Sequence, residues 1–197
     1  MKPFSESCVQ NREPILEVLR GELADKTRLL EIGSGTGQHA VYLAAEFPQL
    51  LWQTSDVSAA HAGINAWLDE AGLTNVRPPL ALDVSRDSWP GQRFDAMFSA
   101  NTVHIMSWPN VERLFEGVGK TLQENGVFCL YGPFNYNGRF TSDSNARFDQ
   151  WLKERDPLSG IRDFEAVQEQ AAKAGLVLKE DHAMPANNRT LVWSKTS

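Results

Sequence analysis

Leu29-Leu30-Glu31-Ile32-Gly33-Ser34-Gly35-Thr36-Gly37-Gln38 is the stretch from which the fold can be read. It runs from a short apolar strand ending in glutamate, through a loop with glycine at alternate positions, into a helix. Glycine takes positive φ without strain and lets a ligand approach the backbone closely. A helix starting directly behind such a loop presents unpaired N–H groups to a carboxylate or phosphate. Strand, loop and helix in this order form a cofactor-binding turn.

The elements on either side keep the same alternation. Ahead of the turn, Ile15, Leu16, Leu19 and Leu23 share one helical face from about Glu13, with Pro14 suited to the first turn. Behind it, Ala40, Leu43, Ala44 and Phe47 form the face of a helix that Pro48 stops. Residues 50–55 read as a second strand ending at Asp56. Ser58 is placed to cap a helix with Ile64, Trp67, Leu68 and Ala71 on its buried face, closed by Gly72. Residues 80–82 make a short third strand before Asp83. Residues 94–100 are apolar on both faces, as in a central parallel strand. Pro109 opens a helix closed by Asn125-Gly126, and residues 127–131 form a fifth strand. A polar stretch over 132–145 precedes a helix around Phe148, Trp151 and Leu152. Asp163 suits the cap of a last helix ending at Gly175, and strands over 176–183 and 190–194 close the chain.

Repeated alternation followed by two strands without a helix predicts an α/β, Rossmann-like fold. Its sheet is mostly parallel, covered by helices on both faces, with an antiparallel C-terminal hairpin. Ligands bind such sheets at the carboxyl ends of the strands, where strand order reverses. Those ends carry the glycine loop, Asp56, Asp83, the segment from Asn101 to His104, and the segment from Tyr131 to Asn135.

Composition agrees with one domain spanning residues 1–197, 42% hydrophobic and 22% charged. A net charge of −6 argues against nucleic acid as the main partner. Cys8 and Cys129 have no metal-ligand spacing, so no metal is expected, and both suit reduced thiols. The opening residues lack the apolar run of a signal peptide and no stretch is long enough for a bilayer, so the expectation is a cytoplasmic protein without a membrane partner. Oligomeric state leaves no mark in the sequence.

The glycine spacing narrows the cofactor. A dinucleotide fingerprint needs G-x-G-x-x-G, and its third glycine falls here on Gln38. The pattern is instead E-x-G-x-G-x-G over residues 31–37. The plainer alternative is a turn that only packs helix on strand. Asp56, about twenty residues past the glycines, is placed to accept both hydroxyls of a ribose, or simply to precede a helix. Asp83 could take an adenine amine between Leu82 and Val84, or be an ordinary loop aspartate. Neither separates one adenine nucleotide from another; the glycines do.

The loop resembles motif I of the class I methyltransferases that use S-adenosylmethionine (SAM). More narrowly, the chain is similar to a methyltransferase-like family of bacteria and animals known mainly as a domain of unknown function. The words that carry this resemblance are Asn11-Arg12-Glu13-Pro14-Ile15-Leu16, the stretch from Leu30 to His39, and Trp52-Gln53-Thr54-Ser55-Asp56. Further on they are Asn101-Thr102-Val103-His104-Ile105, Tyr131-Gly132-Pro133-Phe134, Ser144-Asn145 and Met184-Pro185-Ala186-Asn187-Asn188. Thr54 departs from the proline usual there. The resemblance implies a seven-stranded methyltransferase sheet. It also implies a SAM site built on Glu31, Gly33, Ser34, Gly35, Thr36, Gly37, Asp56, Leu82, Asp83, Val84, Asn101 and Thr102, with S-adenosylhomocysteine (SAH) as product. It supplies no substrate.

Methyl transfer from a sulfonium needs alignment and exclusion of water, and a base only where the acceptor must lose a proton. His104 is the candidate base, with packing or a loop hydrogen bond as the alternative. His39, on the first turn after the glycines, could meet the acceptor or face solvent. Tyr131, Phe134 and Asn135 lie where an acceptor wall would form. Asn187 either faces the pocket or turns the chain. Arg12 could pair with an anionic acceptor or be a surface arginine. The leading expectation is a SAM-dependent methyltransferase of a small molecule through oxygen, nitrogen or sulfur. The alternatives are a non-catalytic SAM-binding protein, or an RNA or protein methyltransferase using Arg139, Arg147, Arg155 and Arg162.

Overall fold

In the computed structural model, which describes residues 2–196, the first helix, α1, runs Glu6–Leu23. It starts two turns earlier than the sequence predicts and carries Pro14 inside it. The hydrogen bond that Pro14 cannot donate is offset by docking of the preceding turns, where Asn11 is buried against α2 (Gln38–Glu46). Between these helices lies β1 (Arg28–Glu31). There follow β2 (Leu51–Asp56), a 3-10 turn at Ser58–Ala60, α3 (His61–Ala71), β3 (Val76–Ala81), β4 (Phe94–Ala100) and α4 (Trp108–Thr121). The second half contains β5 (Leu122–Gly132), β6 (Phe134–Asn135), α5 (Asp143–Arg155), β7 (Arg162–Asp163), α6 (Phe164–Lys173), β8 (Leu176–Met184) and β9 (Asn188–Lys195).

Seven strands form one sheet in the order β3-β2-β1-β4-β5-β9-β8. The first five are parallel, and β9 runs antiparallel to both β5 and β8. The expected mixed Rossmann-like sheet is therefore present. Strand order reverses between β1 and β4, which places the ligand-binding end of the sheet beside the glycine loop. Strands β6 and β7 pair separately, in parallel.

Successive side chains of a strand point to opposite faces, and the core divides accordingly. Leu29, Trp52 and Phe98 pack with Ile15, Leu19 and Leu43 of α1 and α2. Leu30, Met97 and Phe128 pack with Val111, Leu114 and Val167 of α4 and α6.

Some expected boundaries move for identifiable reasons. β3 begins at Val76, before Pro78 and Pro79, because an edge strand tolerates residues without an N–H. α4 ends at Thr121 and passes straight into β5, with Asn125 turning the chain at φ +61°. Ser58 does not cap α3: it opens the 3-10 turn, whose N-cap is Val57. Asp163 occupies the N-cap of α6 but makes no side-chain cap bond. Gly72 closes α3 at φ +61°, as expected. Among the described residues no helix is long and apolar enough to cross a membrane.

Candidate active site

At the carboxyl ends of β1, β2 and β4 lies a crevice of about 660 Å³, within the range of small-molecule sites. The glycine loop forms its inner floor. Gly33 (φ +72°) must be glycine, because a Cβ there would lie 2.6 Å from Thr102 Cγ2. Gly35 (φ +59°) has nothing within 4 Å of its would-be Cβ, so its backbone faces open space. Its N–H donates to Asp56 Oδ2 (2.7 Å), while Val57 N–H donates to Asp56 Oδ1 (2.7 Å). The loop and the end of β2 are thus locked together, and each carboxylate oxygen keeps a further lone pair.

Glu31 braces this loop from below. Its Oε2 accepts from Ser34 Oγ–H (2.9 Å) and Trp52 Nε1–H (3.0 Å). Burial pushes its carboxyl up to about 7, against the lowering effect of those two bonds, and nearby Asp56 adds to the rise. Opposite, Ser99 Oγ–H donates to Ile32 O (2.7 Å) and receives Thr102 Oγ1–H (2.7 Å). Asn101 takes a left-handed conformation (φ +57°), uncommon outside glycine and concentrated at functional sites.

Gly33, Ser34, Gly35, Thr36, Asp56, Leu82, Asp83, Val84, Asn101 and Thr102 all line the crevice. Glu31 and Gly37 do not. Gly37 is instead a packing glycine, since a Cβ would meet Ile64 Cα of α3 at 3.1 Å. Asp83 lines the crevice with its oxygens already engaged: Oδ1 accepts from Ser85 N–H and Oγ–H, and Oδ2 pairs with Arg86 at 3.2 Å.

Of the residues expected to meet the acceptor, only His39 lines the crevice. Its Nε2–H donates to Asn11 Oδ1 (2.7 Å), and its bare Nδ1 faces Cys8 Sγ at 3.9 Å. Burial lowers its pKa to about 4, so it is neutral. His104 stands behind the wall, its ring edge-on to Phe148 (5.4 Å between centroids), with Nδ1 unpartnered among the described residues. Burial, with a smaller effect from Arg162, lowers its pKa to about 4. Tyr131, near the end of the central strand β5, and Phe134, on the separate strand β6, are buried in the two different core clusters. Asn135 is buried, with Nδ2–H reaching Ile161 O at 3.5 Å. Asn187 turns the chain at φ +57°, its carbonyl accepting from Asn145. Arg12, on α1 rather than ahead of it, stacks over Tyr42 at 4.3 Å beside a separate hollow.

Sequence reasoning missed two walls. Ser5, Ser7 and Cys8, from the start of α1, close one side. They are held there because Ser5 N–H donates to Gln38 Oε1 (2.6 Å), Gln38 Nε2–H donates to Ser5 O (3.3 Å), and Trp67 Nε1–H donates to Pro3 O (2.7 Å). Placing the helix start at Glu13 hid this. The other wall is Ile105, Met106, Ser107 and Asn110 with Asp156 and Leu158. The first four follow the end of β4, where the strand-end rule could have found them; the last two follow α5 and carry no such signal. Among the described residues no cluster of three or more His, Cys, Asp or Glu could hold a metal.

Comparison with known proteins fits this geometry. A family model described as "Protein of unknown function (DUF938)" matches residues 2–195. A malonyl-[acyl-carrier protein] O-methyltransferase of Geobacter sulfurreducens is 28% identical over 126 residues, covering 63% of this chain and 46% of that protein. An O-methyltransferase family protein from Burkholderia thailandensis superposes with a TM-score of 0.86 at 14% identity, over 98% of this chain and 58% of the other. Human N-acetylserotonin methyltransferase in complex with SAM gives a TM-score of 0.74 at 14% identity, over 94% of this chain and 55% of the other. The chain thus spans about half the length of these relatives. The sheet is that of class I methyltransferases.

Proposed function

The chain belongs to the DUF938 family, and from that premise we propose that it is a SAM-dependent methyltransferase acting on a small molecule. The observation that carries this reading is the crevice at the reversal of strand order, floored by the open backbone of Gly35 and tied to Asp56. The residues fit the cofactor. Thr36 N–H and the first turn of α2 suit a carboxylate, the N–H groups of Gly33, Ser34, Gly35 and Gly37 being bonded within the protein. Asp56 suits ribose hydroxyls, and Leu82 and Val84 suit a flat apolar ring. SAM, held by these residues, would supply an electrophilic methyl to an acceptor lone pair, with SAH leaving with the carbon–sulfur bonding pair and any acceptor proton lost to water at the open mouth of the crevice.

The chain's own contribution is alignment and exclusion of water. His104 stands behind the wall, and His39, although it lines the crevice, turns its bare Nδ1 to Cys8 and is kept a weak base by burial, so neither is a strong general base for an acceptor. Calorimetry with SAM and SAH tests the cofactor reading. One site per chain is expected, with affinity falling at least about tenfold in Asp56→Ala, as for a lost charged hydrogen-bonding partner. No heat of binding in the folded protein overturns it. Labelled-methyl transfer into a metabolite extract then separates an enzyme from a binding protein.

A further inference from the structure

The outer half of the crevice has a character that the cofactor does not use. Ile105 and Leu158 are large aliphatic side chains left 57% and 64% exposed, and both line the crevice beside half-buried Met106. Exposed aliphatic surface on the wall of a cleft marks a place for the apolar body of a ligand. The two segments lie some fifty residues apart in sequence, and one side chain joins them. Arg162 Nε–H donates to Val103 O (3.1 Å), and Nη2–H donates to Leu158 O (2.8 Å) and to Met106 O. A guanidinium is a rigid planar fork, so these bonds fix the spacing of the wall. They also commit Nε–H and Nη2–H to main-chain carbonyls, with Asp149 and Asp156 as the nearby carboxylates.

Charge points the same way. Among the described residues lining the crevice the acids are Asp56, Asp83 and Asp156, and none is Lys or Arg. Asp156 shares a turn with Leu158, its Oδ1 accepting from Leu158 N–H (3.0 Å). A carboxylate or phosphate entering here loses water and meets Asp156. The half-buried Arg162 behind the wall offsets that charge only in part, its Nε–H and Nη2–H staying committed to carbonyls. A neutral hydroxyl on an apolar body meets none of these costs.

We propose that the outer crevice is an acceptor subsite for an uncharged amphiphile, an alcohol or phenol on an apolar body, with Ile105, Met106 and Leu158 as its wall and Arg162 setting their spacing. The proposal rests on the methyltransferase reading above. The test is calorimetry on SAH-saturated protein with 2-naphthol and 2-naphthoate, which share a body and differ in charge, in the native chain and in Ile105→Ser and Leu158→Ser. Both positions are exposed, so the variants keep the fold. We expect naphthol to bind at least about tenfold more tightly than naphthoate, and each serine variant to weaken naphthol by about tenfold, the loss expected for two or so methylenes. SAH affinity should stay unchanged. Naphthoate binding as well as naphthol, naphthol failing to bind the SAH-loaded chain, or naphthol binding indifferent to both serines overturns the subsite while leaving the cofactor reading intact. Absence of SAH binding overturns both.

Discussion

Around Gly35 and Asp56 the crevice is made of backbone and carboxylate, bonded across two neighbouring strand ends. Around Ile105 and Leu158 it is made of aliphatic side chains on two loops joined by Arg162, four residues past Leu158, and by Gly160 N–H donating to His104 O (2.9 Å). The inner half therefore rests on backbone and carboxylate at adjacent strand ends, the outer half on side chains of two loops about fifty residues apart. Under the proposed function, the difference would separate the part of the site meant for a constant cofactor from the part free to vary with the acceptor.

The largest test of that division is Gly33→Val. Any side chain at φ +72° is strained, and its Cβ would meet Thr102 at 2.6 Å. Denaturant unfolding should show a loss of about 3 kcal/mol. Calorimetry should show SAH affinity falling with it; a variant that keeps both would break the comparison at its strongest point.

Protonation gives a comparable effect. Glu31 holds its proton more tightly folded (about 7) than its ordinary value of 4.5 allows. Its contribution to stability is therefore full below pH 4.5 and is lost as pH rises to about 7. His39 and His104, lowered to about 4, act in the opposite sense: their contribution is full above their ordinary 6.5 and lost as pH falls to about 4. Each shift corresponds to about 3 kcal/mol, so the two histidines outweigh the glutamate between pH 4.5 and 6.5. Glu31→Gln should steepen the rise of stability with pH across that window, measured by urea unfolding at half-unit steps. An unchanged slope would remove Glu31 from the inner half.

In the outer half, Arg162→Met leaves three carbonyls to find other partners. We expect a loss of about 2 kcal/mol, with SAH affinity held within error. A fall in SAH affinity would join the two halves. The smallest effect belongs to Arg12→Ala, which removes a cation–π contact with Tyr42 away from the crevice. Unfolding should register a loss of under about 1 kcal/mol and calorimetry no change in SAH binding.

The same division explains what could be read in advance. The glycine loop, Asp56 and Asn101 were legible because strand, turn and helix dictate their place locally. The alternation of elements made a mostly parallel sheet with an antiparallel C-terminal hairpin legible, though not the order of its strands. Tyr131 and Phe134 lie in the core rather than at the crevice, because an aromatic residue near a strand end suits a pocket wall and a core equally well; Tyr131 is on central β5 and Phe134 on β6. Leu158 was invisible, since nothing near it in sequence announces the bond to Arg162. Pro14 moved the start of α1 by suggesting a first turn where there is an interior one.

Gln38 grips the Ser5 backbone from both sides, and Trp67 holds Pro3. The opening turn of α1 is therefore panelling for the cleft as much as part of a helix. Trimming the chain back to Val9 would spare the packed interior yet strip one side from the hollow. Tolerance to shortening at that end should be governed by ligand retention rather than by melting temperature.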